Sequence, residues 1–299
     1  MIELWIPVTV LAATIQAART TVQKHLKGTL RTNSITFARY FYGLPFVLLY
    51  LAVVAGLSGA VLPAPNPVFL AGCFMAGVSQ IVATSLMIHL FSYRNFAVGT
   101  TYTKTDVVQT AILGIVLFGE PIGPLALVGI VVSLIGVVVI STGRGPTGLA
   151  GVLAGWSERT ALIGLAAGTG FAFAALFLRW GSLSLDAGFA IRGAMTLAYM
   201  TAMQLVMLGA YIVLRERAEI VPILKSWRAS GLVGVLSAAG SAAWFTALTL
   251  QVAAYVRAVG QVELIFSLLI SYLFFRERSS AAELIGMAII VAGIMLLVM

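Results

Sequence analysis

Ten apolar runs follow one another along this chain with little between them but turn residues and scattered basic side chains. Windowed hydropathy places them near 2–22, 34–57, 67–92, 95–118, 122–142, 159–179, 186–214, 229–250, 254–275 and 280–299. Each approaches or exceeds the roughly 20 residues a helix needs to cross about 30 Å of hydrocarbon. The intervals carry turn or charge signals: Lys24 to Asn33, Leu62 to Pro67, Arg94-Asn95, Gly119-Glu120-Pro121 and Gly143 to Gly148. An open chain in lipid must satisfy its backbone polar groups within each segment, so the runs are expected to be helices. The fold class that follows is all-α: a polytopic membrane protein of ten transmembrane helices. A content of 9% charged residues agrees, because soluble proteins carry about 25%. The short N-terminal stretch Met1 to Pro7 lacks a basic region and a cleavage site, so the first run is read as a retained span.

The runs repeat. Phe118-Gly119-Glu120-Pro121, followed by Leu127-Val128-Gly129 and Gly136, overlays Phe275-Arg276-Glu277-Arg278, followed by Leu284-Ile285-Gly286 and Gly293, at an offset of about 157. The same offset pairs Asp106 with Glu263, Thr110 with Ser267 and Gly77 with Gly234. A slightly smaller offset pairs Leu11-Ala12-Ala13 with Leu165-Ala166-Ala167, and Arg39 with Arg192. The chain therefore divides into residues 1–147 and 148–299, each a five-helix repeat. An odd number of crossings forces the second copy to enter the membrane inverted, the construction of many secondary transporters with a central cavity.

Charge distribution tests the inversion independently. The loops after the first, third, fifth, seventh and ninth runs hold twelve basic residues: Lys24, Lys27, Arg31, Arg94, Arg144, Arg159, Arg215, Arg217, Lys225, Arg228, Arg276 and Arg278. The opposite loops hold Arg179. The positive-inside rule makes the basic face cytoplasmic and puts both termini outside. Net charge is +8, yet Lys and Arg form no basic stripe, so membrane orientation explains it and nucleic acid does not.

The Leu117-Phe118-Gly119-Glu120 step into a Gly-x6-Gly helix, repeated as Phe274-Phe275-Arg276-Glu277 with Gly286 and Gly293, resembles the drug/metabolite transporter superfamily. The likeness is to its ten-helix EamA-type exporters and covers essentially the whole chain. Where many members carry a proline near the middle of helices 4 and 9, this chain has Val108 and Ile265. The resemblance implies a basket of helices around a central cavity. It also implies export of amino acids, aromatic ones included, or of cationic drug-like compounds. A nucleotide-sugar or lipid-linked carrier is the alternative on the same fold.

Ionisable groups inside a membrane cost about 2.5–3.5 kcal/mol each on insertion scales, so each needs a reason to be there. Lys104 and Asp106 fall near the middle of the fourth run, Glu263 in the ninth, and Arg39 and Arg192 a turn or two inside the second and seventh. Arg39 with Asp106, and Arg192 with Glu263, are candidate ion pairs, either structural or in competition with a cationic substrate or a proton. Lys104 lies about 200° around the helix from Asp106 and needs another partner, a substrate carboxylate or the basic face. Polar stripes at helical spacing add Tyr102-Asp106-Gln109, Ser237-Ser241-Trp244, Gln80-Thr84, Glu263-Ser267-Ser271, and Thr9 with Gln16. Close packing accounts for the Ser and Thr members; Gln16, Gln80, Tyr102 and Trp244, with Tyr42 by position, are the candidates for the cavity wall.

Enzyme motifs are missing: the sequence holds no HExxH, no GxSxG and no Walker lysine. Cys73 is a single thiol in an apolar run, and His25 and His89 have no second ligand at a useful spacing, so neither metal nor cofactor is expected. The expected partners are a small-molecule substrate and the bilayer, with a proton as candidate coupling ion and a bacterial inner membrane as the location.

Overall fold

A computed structural model of the chain describes residues 3–26, 28–59, 61–90, 102–144, 159–266, 269 and 280–299. The long helices are α1 (Trp5–Leu26), α2 (Thr32–Ser58), α3 (Pro67–Leu90), α4 (Asp106–Phe118) and α5 (Pro124–Arg144) in the first half. The second half holds α6 (Arg159–Leu183), α7 (Phe189–Arg215), α8 (Trp227–Leu250), α9 (Ala253–Val259) and α10 (Ala281–Val298). Each of the ten expected runs contains a helix, and two short pieces, Arg217–Glu219 and Ile220–Lys225, join α7 to α8. Thr32–Ser58, Pro67–Leu90, Ala161–Leu183, Phe189–Arg215 and Trp227–Leu250 are long and apolar enough to span a membrane on length and composition alone. Arg94, Asn95, Gly148, Ser267, Ser271 and the second Phe-x-Glu motif at Phe274 to Arg278 lie outside the described residues.

The packing maps onto itself when the halves are exchanged. α3 packs on α6 as α8 packs on α1; α2 packs on α8 as α7 packs on α3; α4 packs on α6 as α9 packs on α1. Three helices meet their own counterparts: α2 with α7, α4 with α9 and α5 with α10. The last pair fixes the direction of the symmetry. A Cβ on Gly129 would stand 2.6 Å from the Gly293 carbonyl oxygen, and one on Gly136 would stand 2.7 Å from that of Gly286. Numbering rises along α5 as it falls along α10, so the two helices run antiparallel. Gly129 and Gly286 are repeat mates, as are Gly136 and Gly293, so a two-fold axis passes between these helices across their length. The second half is thus the first turned over, and side-chain-free positions let the two backbones touch where they cross.

Leu48, Leu49, Ile112, Val116, Val206 and Leu214 expose their side chains on the outside of the bundle, where lipid is the solvent. Inside, Ala12, Ala13, Ala83, Ala167 and Ala172 are fully buried. These small residues bring helices close together, because packing rather than hydrophobicity drives association in lipid.

Two runs are not the continuous helices that hydropathy suggests. Residues 102–103 are helical, 104–105 form a turn, and α4 begins at Asp106. α9 stops at Val259, Gly260 and Gln261 form a turn, and helix resumes over 262–266. The two breaks occupy nearly equivalent places in the repeat, the first immediately before Asp106 and the second ending two residues before Glu263, and neither contains a proline. Tight i to i−3 bonds carry the backbone through them: Thr105 N–H donates to the Tyr102 carbonyl (3.2 Å) and Glu263 N–H to that of Gly260 (3.0 Å). The Thr105 hydroxyl also donates to the Tyr102 carbonyl at 2.6 Å, offering the backbone an alternative partner. At the second break a Cβ on Gly260 would lie 2.3 Å from the Trp244 ring, so the indole takes the space a side chain would need.

The Phe-Gly-Glu motif has a local structural reason. Gly119 ends α4 in the left-handed conformation (φ 62°), and the next N–H, of Glu120, donates back to the Gly114 carbonyl at 3.0 Å. That turn aims Glu120 at Arg179 of α6, with Nε to Oε1 at 2.8 Å. Arg179 also donates to the Leu248 and Gln251 carbonyls at 2.8 and 2.7 Å, satisfying acceptors left over at the end of α8.

Candidate functional site

The broken ends of α4 and α9 face each other, and their charges cross between the halves. Lys104, from the break before α4, donates to Glu263, after the break in α9, with Nζ to Oε2 at 2.9 Å. Gln16 of α1 donates to the same oxygen at 2.8 Å. Arg257 of α9 reaches the other way and pairs with Asp106 of α4. Each repeat-equivalent carboxylate is therefore held by a cation from the opposite half. Irregular backbone at this depth is tolerated where protein or a cavity receives its polar groups.

Aromatic and amide groups surround this layer. The Arg257 guanidinium lies 5.6 Å from the Phe171 ring centre and 5.7 Å from that of Trp244, within cation–π range. Gln109 of α4 donates to Thr105 at 2.8 Å and accepts from Thr169 of α6 at 2.6 Å, tying the break to α6. Gly168 makes room for that approach: a Cβ there would lie 3.0 Å from the Thr103 carbonyl oxygen. Several buried atoms have no protein partner: Asp106 Oδ1, Arg257 Nε, Trp244 Nε1 and Gln261 Oε1. The layer keeps hydrogen-bonding capacity that the protein itself does not use.

The ion pairs expected from the sequence take other partners. Arg39 does not meet Asp106; it donates to Ser241 at 3.4 Å and stacks on Tyr40 at 5.3 Å. The reason lies in the packing, since α2 lies on α7 and α8 whereas α4 lies on α6 and α9. Arg192 does not meet Glu263; its Nε donates to the Leu185 carbonyl at 2.9 Å, near the start of α7. Lys104, expected to reach a substrate carboxylate or the basic face, instead pairs with Glu263 of the other half.

The other candidates divide between the ion-pair layer and other places. Gln16 and Trp244 belong to the layer. Gln80 accepts from Gln204 of α7 at 3.0 Å and lines a separate pocket with Arg39. Tyr42 donates to the Ile223 carbonyl at 3.3 Å and packs against Gly234, so it serves the α2–α8 crossing. Tyr102 is buried beside Ala161. Sequence reasoning passed over Arg257, the fifth residue after the bend at Gln251-Val252 that precedes α9, because it sits near the start of its run and reads as an end residue. It passed over Arg19 for the same reason at the end of α1. The available signal was that both interrupt otherwise apolar helical stretches.

Comparison with known proteins decides the family. The EamA-like transporter family model matches residues 3–142 and again 159–299. The chain belongs to the EamA-like transporter family. This is a family of small-molecule transporters in the drug/metabolite transporter superfamily, not of enzymes, and the double match is the duplication seen in both sequence and packing. The EamA-like fold also matches a solved crystal structure of a protein with a TM-score of 0.69 at 16% identity, over 98% of this chain and 95% of that one. No curated protein matches it. The EamA-like chain is therefore an integral, multi-pass membrane transporter whose two copies meet in an ion-paired layer.

Proposed function

We propose that the protein is a secondary exporter of small metabolites bearing a cationic amine: amino acids, aromatic ones included, or cationic drug-like compounds. The crossing of Asp106 with Arg257 and of Glu263 with Lys104 carries this reading. A substrate ammonium competes for the same carboxylate oxygens, and the Phe171 and Trp244 faces that hold Arg257 suit a cation. Both pairs join one half to the other, so a competitor that breaks them loosens the halves as it binds. Rocking of residues 1–147 against 148–299 then gives alternating access. A proton binds the same carboxylates and is the candidate coupling ion. The charge bias of the loops supports a cytoplasmic basic face, and on this reading the carrier works in a bacterial inner membrane.

The test is exchange in proteoliposomes of the full chain loaded with labelled phenylalanine, lysine or a cationic dye. Saturable exchange competed by aromatic or cationic solutes is expected. Saturable exchange of a nucleotide sugar or a lipid-linked sugar, with none of the amines, would replace this reading with the alternative carrier. No saturable exchange of any of them would reject it.

A further inference from the structure

A pocket of mixed lining lies between α2, α3, α7 and α8. It is partly open and narrow, its non-atom space of about 270 Å³ counting the solvent at its mouth, and its wall includes Arg39, Tyr40, Gln80, Gln204, Ser237 and Ser241. Arg39 is 5% exposed, and none of the described carboxylates forms an ion pair with it; its hydrogen bond goes to a neutral hydroxyl, Ser241. Burying a guanidinium this way is unfavourable unless something negative meets it.

A second arginine adds to the positive charge. Ile15 of α1 lies against Gly240 of α8, and α1 runs opposite to α8, so Arg19 stands a turn farther along, about level with Ser237. Arg19 is 6% exposed and within electrostatic reach of Arg39 and Tyr40. The acidic group within its reach is Glu263, whose oxygen already accepts from Lys104 and Gln16. Around the two cations, Arg19 Nε, Tyr40 Oη, Ser237 Oγ and both amide atoms of Gln23 are buried without a protein partner. Most of these atoms can donate. Two like charges with unmet donors make a cradle for an anion, and a planar guanidinium fork matches a carboxylate.

We propose that Arg39, backed by Arg19 and by the Tyr40 and Ser237 hydroxyls, binds a small soluble organic anion, through a carboxylate or an equivalent oxyanion. This site adjoins the ion-pair layer through Arg19, which has Glu263 within reach, while Arg39, Tyr40 and Ser237 line a pocket of their own, and the inference is independent of which solute the carrier moves.

The test uses the full chain purified in detergent, with thermal unfolding followed by tryptophan fluorescence. Sodium acetate, benzoate and phosphate are titrated against sodium chloride at matched ionic strength, and a short-chain phosphatidylglycerol is titrated in parallel. A saturable rise in Tm with acetate, benzoate or phosphate, beyond that with chloride, is expected. Apparent affinity should fall about tenfold in Arg39→Gln and less in Ser237→Ala, with Arg39→Lys between wild type and Arg39→Gln because it keeps the charge but loses the fork. If Arg39→Gln does not fold, Arg39→Lys and Ser237→Ala carry the comparison. The proposal is overturned if no soluble anion gives a saturable shift, if the variants that fold respond as wild type does, or if phosphatidylglycerol alone gives the shift. Amine exchange in proteoliposomes is read separately, so failure of the anion site and failure of the exporter reading are told apart.

Discussion

Lys104 and Glu263 lie 159 residues apart in sequence and 2.9 Å apart in space, one from each half of the duplicated chain. The contact joins the helix breaks at which the two copies depart from ideal helices. Lys104 thus acts as a tether between repeats, and Glu263 has a second tether in Gln16 of α1. Removing one partner of a buried pair strands the other charge and costs about 3–5 kcal/mol. Lys104→Met alone and Glu263→Gln alone should therefore each lower the unfolding midpoint in detergent by more than the double substitution does. A double-mutant cycle on thermal unfolding measures this, and additive effects would show that the contact contributes nothing as a pair.

Asp106 occupies the equivalent position to Glu263 and is held by Arg257, yet its Oδ1 has no protein partner. A carboxylate with spare acceptor capacity beside two aromatic faces suits a transient cation better than a purely structural role does. In variants that fold, Asp106→Asn should lower amine exchange by about tenfold, equivalent to about 1.4 kcal/mol, and flatten its dependence on pH. Exchange at the wild-type rate with the wild-type pH profile would remove Asp106 from the transport step.

Repetition, rather than hydropathy, made most of this arrangement legible in the sequence. The match of Gly129 and Gly136 to Gly286 and Gly293 marks the two helices that cross on the symmetry axis, and the match of Asp106 to Glu263 marks the two breaks. Partners were not legible. A pair such as Arg257 with Asp106 depends on which helices pack together, and no spacing within one run encodes that. Arg39 and Arg192 are repeat mates yet meet a serine and a backbone carbonyl, so matching positions in the two copies do not carry matching partners. The breaks themselves lie hidden in apolar runs whose mean hydropathy does not register two or three residues of turn.

The glycine crossing of α5 and α10 gives a prediction with an internal control. Gly129→Ala would place a methyl 2.6 Å from a backbone oxygen of the facing helix, and Gly136→Ala would do the same at 2.7 Å. Backbone cannot give way as a flexible side chain does, so each should destabilise the protein by about 1–3 kcal/mol, the usual range for overpacking. Gly56→Ala in α2 meets nothing within 4 Å, and should be neutral or stabilising by up to about 1 kcal/mol. Thermal unfolding of the three variants in one detergent checks the contrast. Equal effects would mean that α5 and α10 do not touch at these positions.

Glu120 gives a prediction in pH, since it lies in the turn between α4 and α5 rather than within a span. Burial pushes its carboxyl above the ordinary value of 4.5, and Arg179 only partly opposes that. The folded protein then holds this proton more tightly than the unfolded chain does. Such a group contributes stability that is present in full below the unfolded value and is lost as pH rises through the higher folded value. The wild-type protein should therefore gain stability relative to Glu120→Gln as pH falls through that window, and the difference should level off below about 4. At neutral pH the variant should still fold, because Arg179 keeps its bonds to the Leu248 and Gln251 carbonyls. Parallel unfolding curves of the two proteins from pH 4 to 7 measure the difference; a wild-type advantage that grows toward neutral pH would show that Arg179 outweighs burial at this carboxyl.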